Sequence, residues 1–180
     1  MRFPRTSTSS VLAVALLACS SADPAEPASY QAEFQAAAAA TNPGAHLSGA
    51  SEVPATGSAG VGQATFHLSR DGSTVTYRLL IANIENTIMA HIHLAAAGAN
   101  GPIVVWLRPT APPPPAAVPG RFDGVYATGT FTADDLVGLL AGESLSALLA
   151  AMRDGNTYVN VHTTRFPGGE IRGQIRVNDP

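Results

Sequence analysis

Beyond residue 60 the apolar residues of this 180-residue chain recur at every second position. In "VGQATFHLS" (61–69), Ala64, Phe66 and Leu68 share one face while Gln63, Thr65, His67 and Ser69 share the other, the pattern of a half-buried strand. Asp71-Gly72 then supplies a hairpin turn, and "TVTYRLLIA" (74–82) resumes the alternation with Val75, Tyr77, Leu79 and Ile81 inward. Further strands are predicted at Met89–Leu94, Ile103–Leu107, Val125–Phe131, Thr157–Thr163 and Ile171–Val177, separated by turn residues. Many short strands joined in this way predict a mostly-β domain, an antiparallel sandwich or barrel.

Two stretches depart from period two. "RPTAPPPPAAVPGR" (108–121) has four consecutive prolines and reads as an extended surface spacer. "TADDLVGLLAGESLSALLAAMRDG" (132–155) switches to helical spacing and predicts a helical insert. Thr132 can cap its first turn, Asp134 and Asp135 suit the positive end, Ser144 can restart the helix after Gly142, and Arg153 with Gly155 marks the stop. Leu136, Leu139, Leu140, Leu145, Leu148, Leu149 and Met152 form a stripe that should pack over the sheet.

The chain's first residues carry a different signal. Arg2 and Arg5 precede the apolar run "VLAVALLA", too short to span a bilayer, and residues 1–18 read as an export signal peptide. The "LLAC" ending at Cys19 resembles a bacterial lipobox, in which cleavage leaves the cysteine at the N-terminus and its sulfur carries diacylglycerol. Lipidation at Cys19 would make the membrane a partner through a lipid anchor, since two or three acyl chains hold where one binds only marginally. Ser20 rather than Asp after the cysteine points to the outer membrane of a diderm cell, or the periplasmic face of its envelope. From 19 to 45 the chain is rich in Pro, Ala, Ser and Glu and reads as a disordered tether, with the folded domain over 46–180.

Cys19 is the single cysteine, so no disulfide can form within the chain. Without Arg2 and Arg5, eight arginines, no lysine and thirteen acids remain, a formal charge of −5 once the terminal amine is acylated. That balance offers no basic patch and excludes nucleic acid as a partner. No protein partner is indicated.

The C-terminal "YVNVHTTRFPGGEIRGQI" (158–175) predicts a hairpin. Val159 and Val161 share one face, Tyr158, Asn160 and His162 the other; Ile171, Ile175 and Val177 oppose Arg172, Gln174 and Arg176. A turn centred on Gly168 places His162 across from Gln174 and diagonal to Arg172, keeping polar beside polar. Together with "LSGASEVPATGSAGVGQATFHL" (47–68) and "AHIHLAAAGANGPIVVWL" (90–107), this hairpin resembles the chordin-type (CHRD) domain, in the same order and over most of 46–177. The resemblance implies an immunoglobulin-like or Cu/Zn superoxide dismutase-like β-sandwich. The chain departs from the usual pattern after His93, where "LAAAG" stands in place of a Gly-Pro, and in its long proline loop. The growth-factor binding that named the family belongs mainly to cysteine-rich modules absent here, and the motif alone implies no activity.

The runs also look, more loosely, like copper-zinc superoxide dismutase, where a His-x-His on a strand and a distant histidine ligate copper. Side chains at i and i+2 of a strand leave the same face about 7 Å apart, near enough for two imidazoles to converge on one ion. His91 and His93 therefore share a face, and a neighbouring strand bearing His162 could supply a third nitrogen, with Glu170 or Gln174 orienting the rings. Three imidazoles suit copper or zinc. The competing reading is a buried hydrogen-bonded network of His91, His93, His162 and Tyr158, satisfied by Arg172 and Glu170. His46, expected ahead of the first strand, and His67 read as surface residues. No Gly-x-Ser-x-Gly elbow, phosphate loop, dinucleotide fingerprint or His-Glu-x-x-His is present. The chain thus reads as a lipid-anchored extracytoplasmic module with a structural or binding role, with copper or zinc at His91, His93 and His162 as the sharper possibility. The alternative is a copper-dependent redox enzyme resembling superoxide dismutase.

Overall fold

A computed structural model describes residues 42–112 and 116–177. Cys19, the expected signal peptide and most of the expected tether lie outside the described residues. Among the described residues seven strands run β1 (Gly44–Ser48), β2 (Val61–Leu68), β3 (Val75–Leu94), β4 (Ile103–Arg108), β5 (Val118–Phe131), β6 (Thr157–Thr163) and β7 (Ile171–Gln174). They pair antiparallel in the order β2-β1-β7-β6-β3-β4, with β5 on β3 and β2 also on β3, so the sheet closes on itself like a barrel.

Closure depends on β3. The alternation predicts separate strands at 74–82 and 89–94, but one 20-residue strand spans both. Its first half pairs β2 and β5, its second half β6 and β4. Between the halves, Asn83 (φ 59°) and Asn86 (φ 51°) adopt the left-handed region, which asparagine tolerates better than most residues, and the register to β5 shifts there. Hydrogen bonds across the shift cover the irregularity: Asn83 donates its N–H to Asp123 Oδ1 at 2.8 Å, and Asn86 Oδ1 accepts from Gly120 N–H at 2.9 Å. The strand bends without ending.

Other expectations shift in detail. His46 lies within β1, not ahead of it, because a five-residue strand with only Ala45 and Leu47 inward is too short to show its alternation; the His46 side chain is exposed, as is that of His67. β5 begins at Val118, inside the expected proline spacer, and Pro119 is tolerated because β5 is an edge strand among the described residues. The helical stretch is broken into 3-10 turns at Ala133–Asp135 and Gly138–Leu140 followed by α1 (Leu145–Arg153). Because it is not one continuous helix, Leu139 leaves the stripe and is 70% exposed, while Leu136, Leu140, Leu145, Leu148, Leu149 and Met152 join the core. They pack with Phe66, Leu79, Ile92, Val159, Val161 and Ile171 in one cluster, each contributing about 1.5–3 kcal/mol on full burial.

The C-terminal hairpin keeps the expected parity with a different register. Tyr158, not His162, pairs with Gln174, and Asn160 pairs with Arg172. The turn centres nearer Phe166, whose carbonyl accepts from Thr163 N–H at 3.3 Å and Gly169 N–H at 3.0 Å. Alternation constrains the parity of a pairing; the turn's own hydrogen bonds choose among the even registers.

Candidate functional site

β3 and β6 lie side by side with Ala90 opposite Val161 and Ile92 opposite Val159. Those residues face the core, so the intervening pairs, Met89 with His162, His91 with Asn160 and His93 with Tyr158, face the other way. Every residue of β6 is nevertheless buried. Three connecting segments fold over this second face: 49–60 brings Glu52, 95–102 brings Asn100 and Gly101, and 164–170 brings Pro167 and Glu170.

His91, His93 and His162 come together beneath them, and one ring nitrogen from each lies within 4.8 Å of the others. His93 Nδ1 sits 2.9 Å from the Gly101 carbonyl and His162 Nδ1 2.9 Å from that of Pro167. A carbonyl can only accept, so both rings carry their proton on Nδ1 and present a bare Nε2. His91 Nδ1 lies 3.2 Å from His162 Nε2, and with the latter unprotonated it is His91 that donates. His91 Nε2 and His93 Nε2 are then buried acceptors without a donor, as is Oδ1 of Asn160, the cross-strand neighbour of His91. Burial, above all, depresses the basicity of all three rings. His91 is pushed down to about 3, with His162 and His93 adding to the effect. His93 is pushed down to about 4 despite the opposing Gly101 carbonyl, and His162 is lowered despite the Pro167 carbonyl. The cluster is neutral at neutral pH, the state in which imidazole ligates.

Aromatic rings wall the cluster. Trp106, opposite His91 in the β3–β4 register, meets that ring edge-on at 4.2 Å. Tyr158 stacks on His93 at 4.8 Å with the rings 3° from parallel, and the Arg172 guanidinium caps the far stack at 4.0 Å from the Tyr158 centroid. Arg172 pairs with Glu52 at 3.1 Å, both side chains almost wholly buried, and donates to the Ala99 carbonyl at 3.0 Å and Asn100 Oδ1 at 2.5 Å. Glu52 also accepts from Asn160 at 3.1 Å. Its carboxyl is held above its ordinary range because burial outweighs the attraction of Arg172.

The expected orienting partners have other roles. Glu170 accepts from Ser58 at 2.6 Å and Thr163 at 2.7 Å, fastening the 49–60 segment to β6. Gln174 donates to the carbonyls of Ala95 at 3.0 Å and Gly155 at 2.5 Å. Backbone carbonyls orient the His93 and His162 rings, because the loops that cover the face carry them there, and His162 in turn orients His91. Nor do Arg172 and Glu170 satisfy the imidazoles, as the network reading expects; their polar atoms bond to other groups.

Glu52, Asn100, Gly101, Trp106 and Pro167 did not stand out in the sequence as site residues. The signal was the turn chemistry inside the two motifs. Asn100 bridges Arg172 and the Val53 carbonyl, the latter at 3.0 Å. A Cβ on Gly101 would lie 2.0 Å from the Leu94 carbonyl oxygen, so only glycine lets the 95–102 segment return close enough to reach His93. Gly169, at φ +127°, packs against Asn160 and Glu52, where a Cβ would fall 2.5–2.7 Å from their polar atoms.

The CHRD domain family model matches residues 44–175, and the chain belongs to that family. No curated protein and no solved structure matches it.

Proposed function

We propose that this chain is a lipid-anchored, extracytoplasmic CHRD module that binds one copper or zinc ion through His91, His93 and His162. The observation that carries the metal reading is the convergence of the three rings, in which the Gly101 and Pro167 carbonyls fix His93 and His162 with a bare Nε2, that of His93 buried without a donor and that of His162 3.2 Å from His91 Nδ1. Ligand nitrogens about 2.0–2.1 Å from a tetrahedral zinc stand about 3.3 Å apart. The separation of 3.2 Å between His91 Nδ1 and His162 Nε2 already matches, and the three rings each place one nitrogen within 4.8 Å of the others. An ion between these two nitrogens would displace the Nδ1 proton of His91, which would move to the bare Nε2 of the same ring so that the imidazole stays neutral. The immunoglobulin-like or dismutase-like sandwich belongs to this proposal, supported by the two halves of β3 serving different neighbours.

The envelope location rests on the export signal at 1–18, Cys19 as the acylated residue, the tether at 19–45 and the domain at 46–180. No described helix is long and apolar enough to cross a membrane. Calorimetric titration of the chelator-treated full chain in detergent, beside a superoxide-dismutation assay, tests the metal reading. One ion should bind per chain, and His91→Ala, His93→Ala and His162→Ala should each abolish the heat. No heat with copper or zinc leaves a structural cluster; turnover lost in those variants would establish the redox enzyme instead.

A further inference from the structure

Resting on the metal-binding reading, we propose that the cluster takes copper in its monovalent state, as a three-coordinate Cu(I), in preference to Zn(II) or Cu(II). The first ground is charge. Among the described residues the ligating group consists of three neutral imidazoles, with no carboxylate or thiolate in it. The buried carboxylates beside it are engaged elsewhere, Glu52 with Arg172 and Asn160, Glu170 with Ser58 and Thr163. Arg172 brings a buried cation onto Tyr158, whose other neighbour is His93. The desolvation cost of an ion rises as the square of its charge, so a dication entering without a counter-charge meets about four times the penalty of a monocation.

The second ground is coordination number. Zinc and Cu(II) seek four or more ligands, and where the protein offers three, water or another small ligand completes the shell. Here Nε2 of His91 and Nε2 of His93 are both closed to solvent. Trp106 meets the His91 ring edge-on and Tyr158 lies flat on the His93 ring, so aromatic carbon bounds both rings. Cu(I), with a filled d shell and no geometric demand, is satisfied by three nitrogens in a dry site. Three imidazoles, a Trp wall and no anion form a site that tolerates one positive charge and disfavours two.

Trp106 is the chain's only tryptophan and touches the His91 ring, so its fluorescence reports occupancy directly. The test is anaerobic competition between the chelator-treated full chain and a chromogenic Cu(I) chelator, with Zn(II) and Cu(II) titrated in parallel against their own indicators. The chain should withhold one equivalent of Cu(I) and quench Trp106, holding both dications at least roughly 100-fold more weakly. His93→Ala should reduce the retained Cu(I) from one equivalent to none. Trp106→Phe should keep the stoichiometry while removing the signal, and it serves as the check if His93→Ala fails to fold. Tighter or equal retention of Zn(II) or Cu(II) overturns the Cu(I) assignment and leaves the metal site standing. Retention of none of the three ions overturns both.

Discussion

Replacing Arg172 by Met tests whether the polar layer over the β3–β6 face is held as a coupled unit. The substitution keeps most of the apolar stem and removes the guanidinium, which pairs with Glu52 at 3.1 Å, donates to the Ala99 carbonyl and Asn100 Oδ1, and stacks on Tyr158. Glu52 would be left buried with Asn160 Nδ2 at 3.1 Å as its remaining side-chain donor. Removing one partner of a buried pair costs about 3–5 kcal/mol, chiefly because the other charge stays desolvated. Glu52→Gln should cost less, since Arg172 keeps Ala99, Asn100 and Tyr158. The double variant should then be more stable than the sum of the two singles requires, by roughly 1–3 kcal/mol of coupling. Urea unfolding at pH 7 reads all four corners of the cycle. The cost of Arg172→Met should also shrink toward pH 5, because the raised Glu52 pKa lets that carboxyl neutralise as the pH falls. Additivity within about 0.5 kcal/mol, or a pH-independent cost, would refute the coupled layer.

Three further expectations follow from the same geometry. His91 and His93 titrate near 6.5 when unfolded but only near 3 and 4 when folded, so the unfolded chain binds more protons between these values. Stability should therefore be complete above about pH 6.5 and fall steadily toward pH 4, by up to a few kcal/mol; a metal-free melting temperature that stays flat from pH 7 to 4.5 would contradict the burial of neutral rings. Gly101→Ala should destabilise the fold by about 1–3 kcal/mol and weaken metal retention together, because the displaced 95–102 segment carries the carbonyl that orients His93; loss of stability with metal affinity intact would separate the loop from the site. Cys19→Ser should release the chain from membranes or stall its processing, read by intact mass of membrane fractions; a mature N-terminus beyond Cys19 without lipid mass would end the anchor reading.

Period-two alternation is local, and each residue's face follows from its neighbours two positions away. For that reason the mostly-β class, the shared face of His91 and His93, and the polar-face parity of His162 were legible in the sequence. Parity could not decide register, and His162 stands four residues from its expected partner because the hydrogen bonds around Phe166 set the turn. The continuity of β3 through Asn83 and Asn86 was hidden for a related reason: interrupted alternation looks the same whether a strand ends or bends. Alternation also marks the imidazole face as polar without saying whether water reaches it. Three loops bury that face, and the groups they deliver, the carbonyls of Gly101 and Pro167 and the carboxylate of Glu52, lie 5 to 120 residues from the side chains they contact. Backbone carbonyls have no side-chain signature. Residue type and spacing therefore determined which imidazoles could meet, whereas loop closure decided that they meet dry, neutral and with their bare nitrogens aimed inward.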